Sequence, residues 1–246
     1  MTAMLNQQLR RHFSSMPLER VMKPTIALLI RIATAAPIAL AATWCLASPA
    51  DADPQSTTTV NFQCQGTVFG VSQETTMTMQ VAGDAPTSAG PSSAVTITLS
   101  STQQTVPANS NGFTVNNIHD LRLVMPNPTN STVNSATVSG GTVTGTVDTS
   151  GGNIALSIPG PIAGGSNFTL PAETIGVTAG TSGSITTTLS GTSYSDPGLT
   201  LTSNVQGPFG PLDVPVSCYP NPAPTFTTTT IGAAAPARIT QPGAKR

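Results

Sequence analysis

The chain has 246 residues, of which 8% are Asp, Glu, Lys or Arg, and its formal net charge is −1. Average soluble proteins carry roughly 25% charged residues, so solubility here must rest on Ser, Thr, Asn and Gln. From Asp53 to Ala237 the one basic residue is Arg122, which excludes the basic stripe that nucleic-acid binding requires.

Residues 1–23 are polar and basic, with Arg10, Arg11, Arg20 and Lys23. Ile26 to Leu46 is apolar, broken by Arg31 and Pro37, and Ala50-Asp51-Ala52 offers small residues where a signal peptidase reads. Residues 1–52 are therefore expected to be a secretory signal peptide cleaved before Asp53, with Met16 or Met22 as alternative translation starts. Arg31 and the small-residue exit argue against an uncleaved anchor helix, and Trp44 before Cys45 argues against lipidation. No long apolar run follows, so no membrane span is expected after signal removal. Cys45 leaves with the signal. Cys64 and Cys218 remain as an even pair in an exported chain, which predicts a Cys64–Cys218 disulfide. Two cysteines and His119 are too few soft ligands for a structural zinc site, and no cofactor is expected.

After a lead-in at 53–56, residues 57–218 read as one β domain. Val60, Phe62 and Cys64 alternate with polar residues, as do Val214, Val216 and Cys218 near the far end. Each row puts its cysteine on its apolar face, so the reading is first and last strands stapled inside one β-sandwich. Between them come Met77-Met79-Val81, Val95-Ile97-Leu99, His119-Leu121-Leu123-Met125, Ile154-Leu156-Ile158, Ile175-Val177-Ala179 and others, with threonine on the opposite faces. Turn clusters such as Gly83-Asp84-Ala85-Pro86, Pro159-Gly160-Pro161 and Asp196-Pro197-Gly198 separate them. Many short strands with one apolar face indicate a sandwich or barrel. Pro215 suggests an edge strand or bulge in the last row. Residues 219–246 form a Pro/Thr/Ala-rich tail expected to be mostly disordered, with one further short strand through Phe226, Thr228 and Thr230.

Little in the sequence selects a chemistry. His119 and Asp120 are neighbours, and neighbours on a strand point to opposite faces, so they are not a ready dyad. His119 stands in register with Leu121 and Leu123 and reads as the end of a core row. Ser195-Asp196 lies in turn sequence without the glycines of a nucleophile elbow. Glu74, Asp84, Asp120, Asp148, Glu173, Asp196 and Asp213 are scattered, and nothing selects a glycosidase pair among them. No Asp-rich calcium loop or phosphate loop is present. Asn130-Ser131-Thr132 and Asn167-Phe168-Thr169 match the glycan acceptor pattern that polar β chains meet by chance. No catalytic, cofactor-binding or metal-binding residue is assigned.

Gly112-Phe113-Thr114-Val115-Asn116-Asn117-Ile118, the run from Gly191 to Thr200, and Ser217-Cys218-Tyr219-Pro220-Asn221-Pro222 stand out. These stretches resemble a family of exported actinobacterial Ser/Thr-rich β proteins of unknown function. The resemblance covers most of residues 57–231. It implies an immunoglobulin-like sandwich in an extracellular or cell-envelope setting, and it supplies no catalytic residues. The extra length before Met22 and after Ile231 departs from the family pattern.

The functional expectation is a non-enzymatic surface or envelope domain whose partner is an unidentified envelope component. The competing class is a carrier of an apolar envelope ligand between two sheets, for which Met77, Met79, Leu121, Leu123 and Met125 would form an adaptable lining. A hydrolase using His119 or two carboxylates ranks third. An interior cavity would favour the carrier, and a cleft gathering His119 with an Asp and a Ser would favour the hydrolase.

Overall fold

A computed structural model describes residues 56–232. The expected signal peptide and the end of the expected tail lie outside them. The strands are β1 (Ser56–Val68), β2 (Val71–Asp84), β3 (Ser88–Ala89), β4 (Ala94–Ser101), β5 (Gln104–Thr105), β6 (Asn109–Ser110), β7 (Phe113–Pro126), β8 (Ser131–Ser139) and β9 (Thr146–Asp148). They continue as β10 (Asn153–Ile158), β11 (Ile162–Ala163), β12 (Asn167–Phe168), β13 (Ala172–Ala179), β14 (Gly183–Thr188), β15 (Leu199–Gly207), β16 (Gly210–Pro220) and β17 (Thr225–Ile231). The fold is all-β, as the alternating rows predict, and among the described residues the one helical element is the 3-10 turn Ser150–Gly152.

The main sheet runs β8-β13-β4-β2-β1-β16-β15-β7-β10-β9 with antiparallel neighbours. It folds over so that inner residues of β2 and β4, such as Val81 and Leu99, face Leu123, Met125 and Leu156 on β7 and β10. The inner faces make one continuous core that includes Val60, Phe62, Ile97, Ile154, Leu156, Ile158 and Ile175. Burying each such side chain contributes about 1.5–3 kcal/mol. Sharp turns link the hairpins. Phe69 and Gly70 have φ of 49° and 79°, and Asn111 and Gly112 have 48° and 84°. Paired positive φ values give the turn twist that a two-residue hairpin favours.

Cys64 and Cys218 are bonded as expected. They sit directly opposite each other on β1 and β16, neighbouring strands of one sheet. Their Cα atoms are 4.0 Å apart, the close spacing of a non-hydrogen-bonded pair. The staple therefore crosses between adjacent central strands. β16 is also not the last strand. β17 follows it, pairs with β14 and β3, and buries Phe226 and Ile231. The domain boundary expected at Cys218 thus moves to Ile231, because alternate residues of the Thr-rich run find a core to face. Thr227, buried, shares a 2.8 Å hydroxyl bond with Thr187, and Thr229 donates to the Pro86 carbonyl at 2.6 Å.

Pro215 does not mark an edge strand, since β16 lies between β1 and β15. The β1–β16 pairing, however, stops at Gly66–Val216, one residue short of Pro215. The proline occupies a position where one flank of a central strand has lost its partner, so its missing N–H costs no ladder bond there.

Candidate functional site

The inner faces of β1, β2, β7, β15 and β16 do not close on solid packing. They enclose a cavity of about 350 Å³, lined chiefly by Met77, Met79, Ile118, Leu121, Leu123, Leu199, Leu201 and the disulfide. Val106 and Phe168 from the β5–β12 region cover it. The topology explains the opening. β4 pairs with β2 only over Val81–Asp84, so the rest of β2 has β1 as its partner on one side and a free edge on the other. Exposed lining residues lie on that edge (Thr75, Thr76, Thr78) and on the segment after β4 (Thr105, Pro107). They form the mouth. Of the five residues proposed for an adaptable lining, Met77, Met79, Leu121 and Leu123 line this cavity, and Met125 lines a smaller chamber beside it.

That chamber, about 30 Å³, holds the most unusual polar group among the described residues. Glu173 is 4% exposed, and its Oε1 has no hydrogen-bond partner. Burial pushes its carboxyl up to about 7. Glu173 stands two residues before Ile175, so it shares the inward face of Ile175, Val177 and Ala179. That register is present in the sequence, where Glu173 extends the row Ile175-Val177-Ala179 by one step of two.

His119 is the second departure. It lies on the outer face and does not end a core row. β7 carries an extra residue here: Thr200 pairs with Arg122 and Thr202 with His119, so Asp120 and Leu121 stand opposite Leu201 alone. Asp120 takes a left-handed φ of 51°. Such a bulge shifts the alternation by one and re-aims the side chains. Leu121 stays buried while His119 and Asp120 share the outside, with Nδ1 2.8 Å from the Asp120 Oδ2. The expectation that these neighbours face apart is overturned for that reason.

The histidine joins a polar chain across three strands. Its Nε2 lies 3.6 Å from Asp213 Oδ1. Asn204 donates to the same oxygen at 2.6 Å, and Asn116 donates to Asn204 at 2.9 Å. The bond to Asp120 leads in raising the imidazole pKa. The bond from Asn204, then the histidine, holds the Asp213 carboxyl below the usual range. Both ring nitrogens face carboxylates, and among the described residues no serine hydroxyl bonds to the ring. The arrangement lacks the nucleophile and base contact that acyl transfer needs. Among the described residues no three His, Cys, Asp or Glu side chains are placed to hold a metal ion.

The other singled-out residues stay local. Ser195 bonds Ser193 within a turn that Asp196 closes, and Asp196 Oδ2 accepts from Thr192. Asp148 accepts from Ser150. Glu74 accepts from Gln65. The Asn130 amide donates to the Ser184 carbonyl, and Asn167 accepts from Thr105. A surface depression of about 440 Å³ beside Ser56, Asp84 and Thr228 offers hydroxyls and one carboxylate as its polar side chains, next to Ala85 and Phe226. Among the described residues no helix is long and apolar enough to cross a membrane.

No protein-family model matches the chain, and no curated protein matches it. One solved structure, provisionally named a membrane-anchored protein and from the actinobacterium Corynebacterium diphtheriae, aligns with a TM-score of 0.48 at 17% identity. The alignment covers 73% of this chain and 38% of that one.

Proposed function

We propose that this is an exported, non-enzymatic envelope protein that holds an apolar ligand inside its folded-over sheet. The observation that carries the reading is the mainly apolar cavity with a mouth at the free edge of β2. Its size falls within the range of small-molecule pockets, roughly 300–1,000 Å³. Methionines at its wall give a lining that adapts to ligand shape. The buried disulfide suits an oxidising compartment, in keeping with the signal peptide and the actinobacterial family read from the sequence.

Titration with a neutral apolar fluorophore such as N-phenyl-1-naphthylamine tests this. Saturable binding at one site per chain is expected. Leu201→Trp narrows the cavity and should weaken binding, whereas His119→Ala on the outer face should leave it unchanged. Failure of apolar probes to bind the wild type, or unaltered binding in a folded Leu201→Trp variant, would exclude the carrier.

A second reading, docking at an apolar surface, has its own observation. Phe69, Val71 and Phe209 are 62%, 57% and 96% exposed on two hairpin tips. The tips adjoin, since Gly207 lies against the Phe69 ring. Exposed apolar side chains grouped at one end fit a lipid surface, and the scarcity of nearby charge makes the attachment insensitive to salt. Flotation with phosphatidylcholine vesicles should carry the wild type and lose a Phe69→Ser, Phe209→Ser variant; equal flotation of the two would exclude it.

A further inference from the structure

Glu173 is a carboxyl group in an apolar wall, and nothing near it explains its presence. Its chamber is built from Met79, Leu99, Leu123, Met125, Leu170 and Phe226, with Ser100 and Ser101 as polar neighbours. Arg122, the one Arg or Lys in residues 56–232, is exposed, and His119 is engaged with Asp120 and Asp213 on the outer face. No counter-ion reaches the carboxyl, and a buried charge without one is too costly to persist. The group therefore stays protonated in the folded chain under mildly acidic conditions, presenting one O–H donor and a vacant acceptor.

The chamber adjoins the large cavity. Met79, Leu123 and Leu170 wall both, so a single layer of side chains separates the two. At about 30 Å³ the chamber has room for one water-sized group, for which roughly 10–15 Å³ suffices. A carboxylate or phosphate head is too large for it and would meet no cation there. An ammonium head would require the ionised carboxylate in the same dry setting.

We infer that Glu173 is the polar anchor of the cavity, selecting a ligand with a long apolar chain and one neutral hydroxyl at its end. The chain fills the large cavity. The unbranched Met79 side chain in the shared layer gives way to the ligand, and the hydroxyl then accepts from the Glu173 O–H and donates to its free oxygen. This rests on the apolar-ligand reading of the cavity, and the test separates the two.

The experiment displaces the bound fluorophore from the disulfide-bonded protein with decan-1-ol, decane or decylamine. The alcohol should compete at about tenfold lower concentration than the alkane, the worth of one buried hydrogen bond. Glu173→Gln keeps a donor and an acceptor and should retain the preference. Glu173→Leu should lose it while still binding decane. An infrared arm uses the wild type alone, so it stands even where the Leu variant fails to fold. The carbonyl stretch of a protonated carboxyl should shift on adding the alcohol and stay put with the alkane. Equal competition by alcohol and alkane in the wild type overturns the anchor and leaves the cavity intact. A preference for the amine that disappears in Glu173→Gln overturns the neutral head group. Failure of all three compounds to compete removes the cavity reading itself.

Discussion

Glu173 ties the stability of the protein to pH. Its carboxyl moves from 4.5 to about 7 because burial penalises the charged form. Between those values the folded chain keeps a proton that the unfolded chain has released, so stability falls as pH rises and levels off above about 7. The full drop is about 3 kcal/mol. Urea unfolding across that range should show this decline in the wild type and a nearly flat profile in Glu173→Gln; parallel profiles would assign the proton elsewhere. His119 acts in the same sense. Asp120 raises its pKa, so its contribution is present below the unfolded imidazole pKa and lost as pH climbs through the folded one. Its partners are exposed, which keeps the effect small. Both residues expose what alternation can and cannot tell. Glu173 was legible, since it continues the Ile175 row by one step of two. His119 was not, because hydrophobic alternation assumes an unbroken strand and the inserted residue at Asp120 leaves no apolar mark of its own.

Strands were easier to read than their partners. Alternating apolar residues fix which face of a strand turns inward, so the rows through Phe62, Ile97, Leu123 and Leu156 all lie in the core. Alternation carries no information about neighbours, and it could not show that β4 leaves β2 after four paired residues. The cavity mouth exists because of that departure. The bulge in β7 is the other element-level device, and its backbone makes a testable demand. Asp120 holds a φ of 51°, a conformation that costs ordinary L-residues about 1–2 kcal/mol and Asp or Asn less. Asp120→Val should therefore lower stability by about 1–2 kcal/mol, beyond the loss of its weak exposed ion pair. Asp120→Gly should recover most of that, because glycine adopts the conformation without strain. Urea midpoints of the two variants decide the matter; equal destabilisation by Val and Gly would mean that the ion pair, not the backbone, governs this site.

At the scale of the whole molecule the disulfide and the cavity meet. Cys64 and Cys218 are separated by 154 residues in sequence, and both line the cavity. A link of that span restricts the unfolded chain, and loop-closure entropy sets its stabilisation at about 5 kcal/mol, with native-state adjustments usually reducing it. The staple holds β1 against β16 at the middle of the strip, between the two halves that pack on each other. Its removal should weaken the domain as one unit. A Cys64→Ala, Cys218→Ala variant is expected to lose about 2–5 kcal/mol and to unfold, like the intact protein, in one transition. Two transitions in either form would mean that the folded-over halves are independent. The pairing itself was legible, because two cysteines on apolar rows of an exported chain have few alternatives. The volume beside them was not, because composition and spacing do not measure how closely two faces approach. Burial adds a kinetic consequence. The cysteines are 2% and 0% exposed, so a charged or polar thiol reductant must either cross the apolar cavity from its mouth or wait for the sheet to open. Reduction without denaturant should be slow and should accelerate in proportion to the unfolded fraction as urea is added. A ligand in the cavity should slow it further by stabilising the closed state. Rapid reduction of the native protein, unaffected by N-phenyl-1-naphthylamine at saturation, would show that the thiol reaches the sulfurs by a route that a ligand in the cavity does not block, such as local opening of the β1–β16 wall.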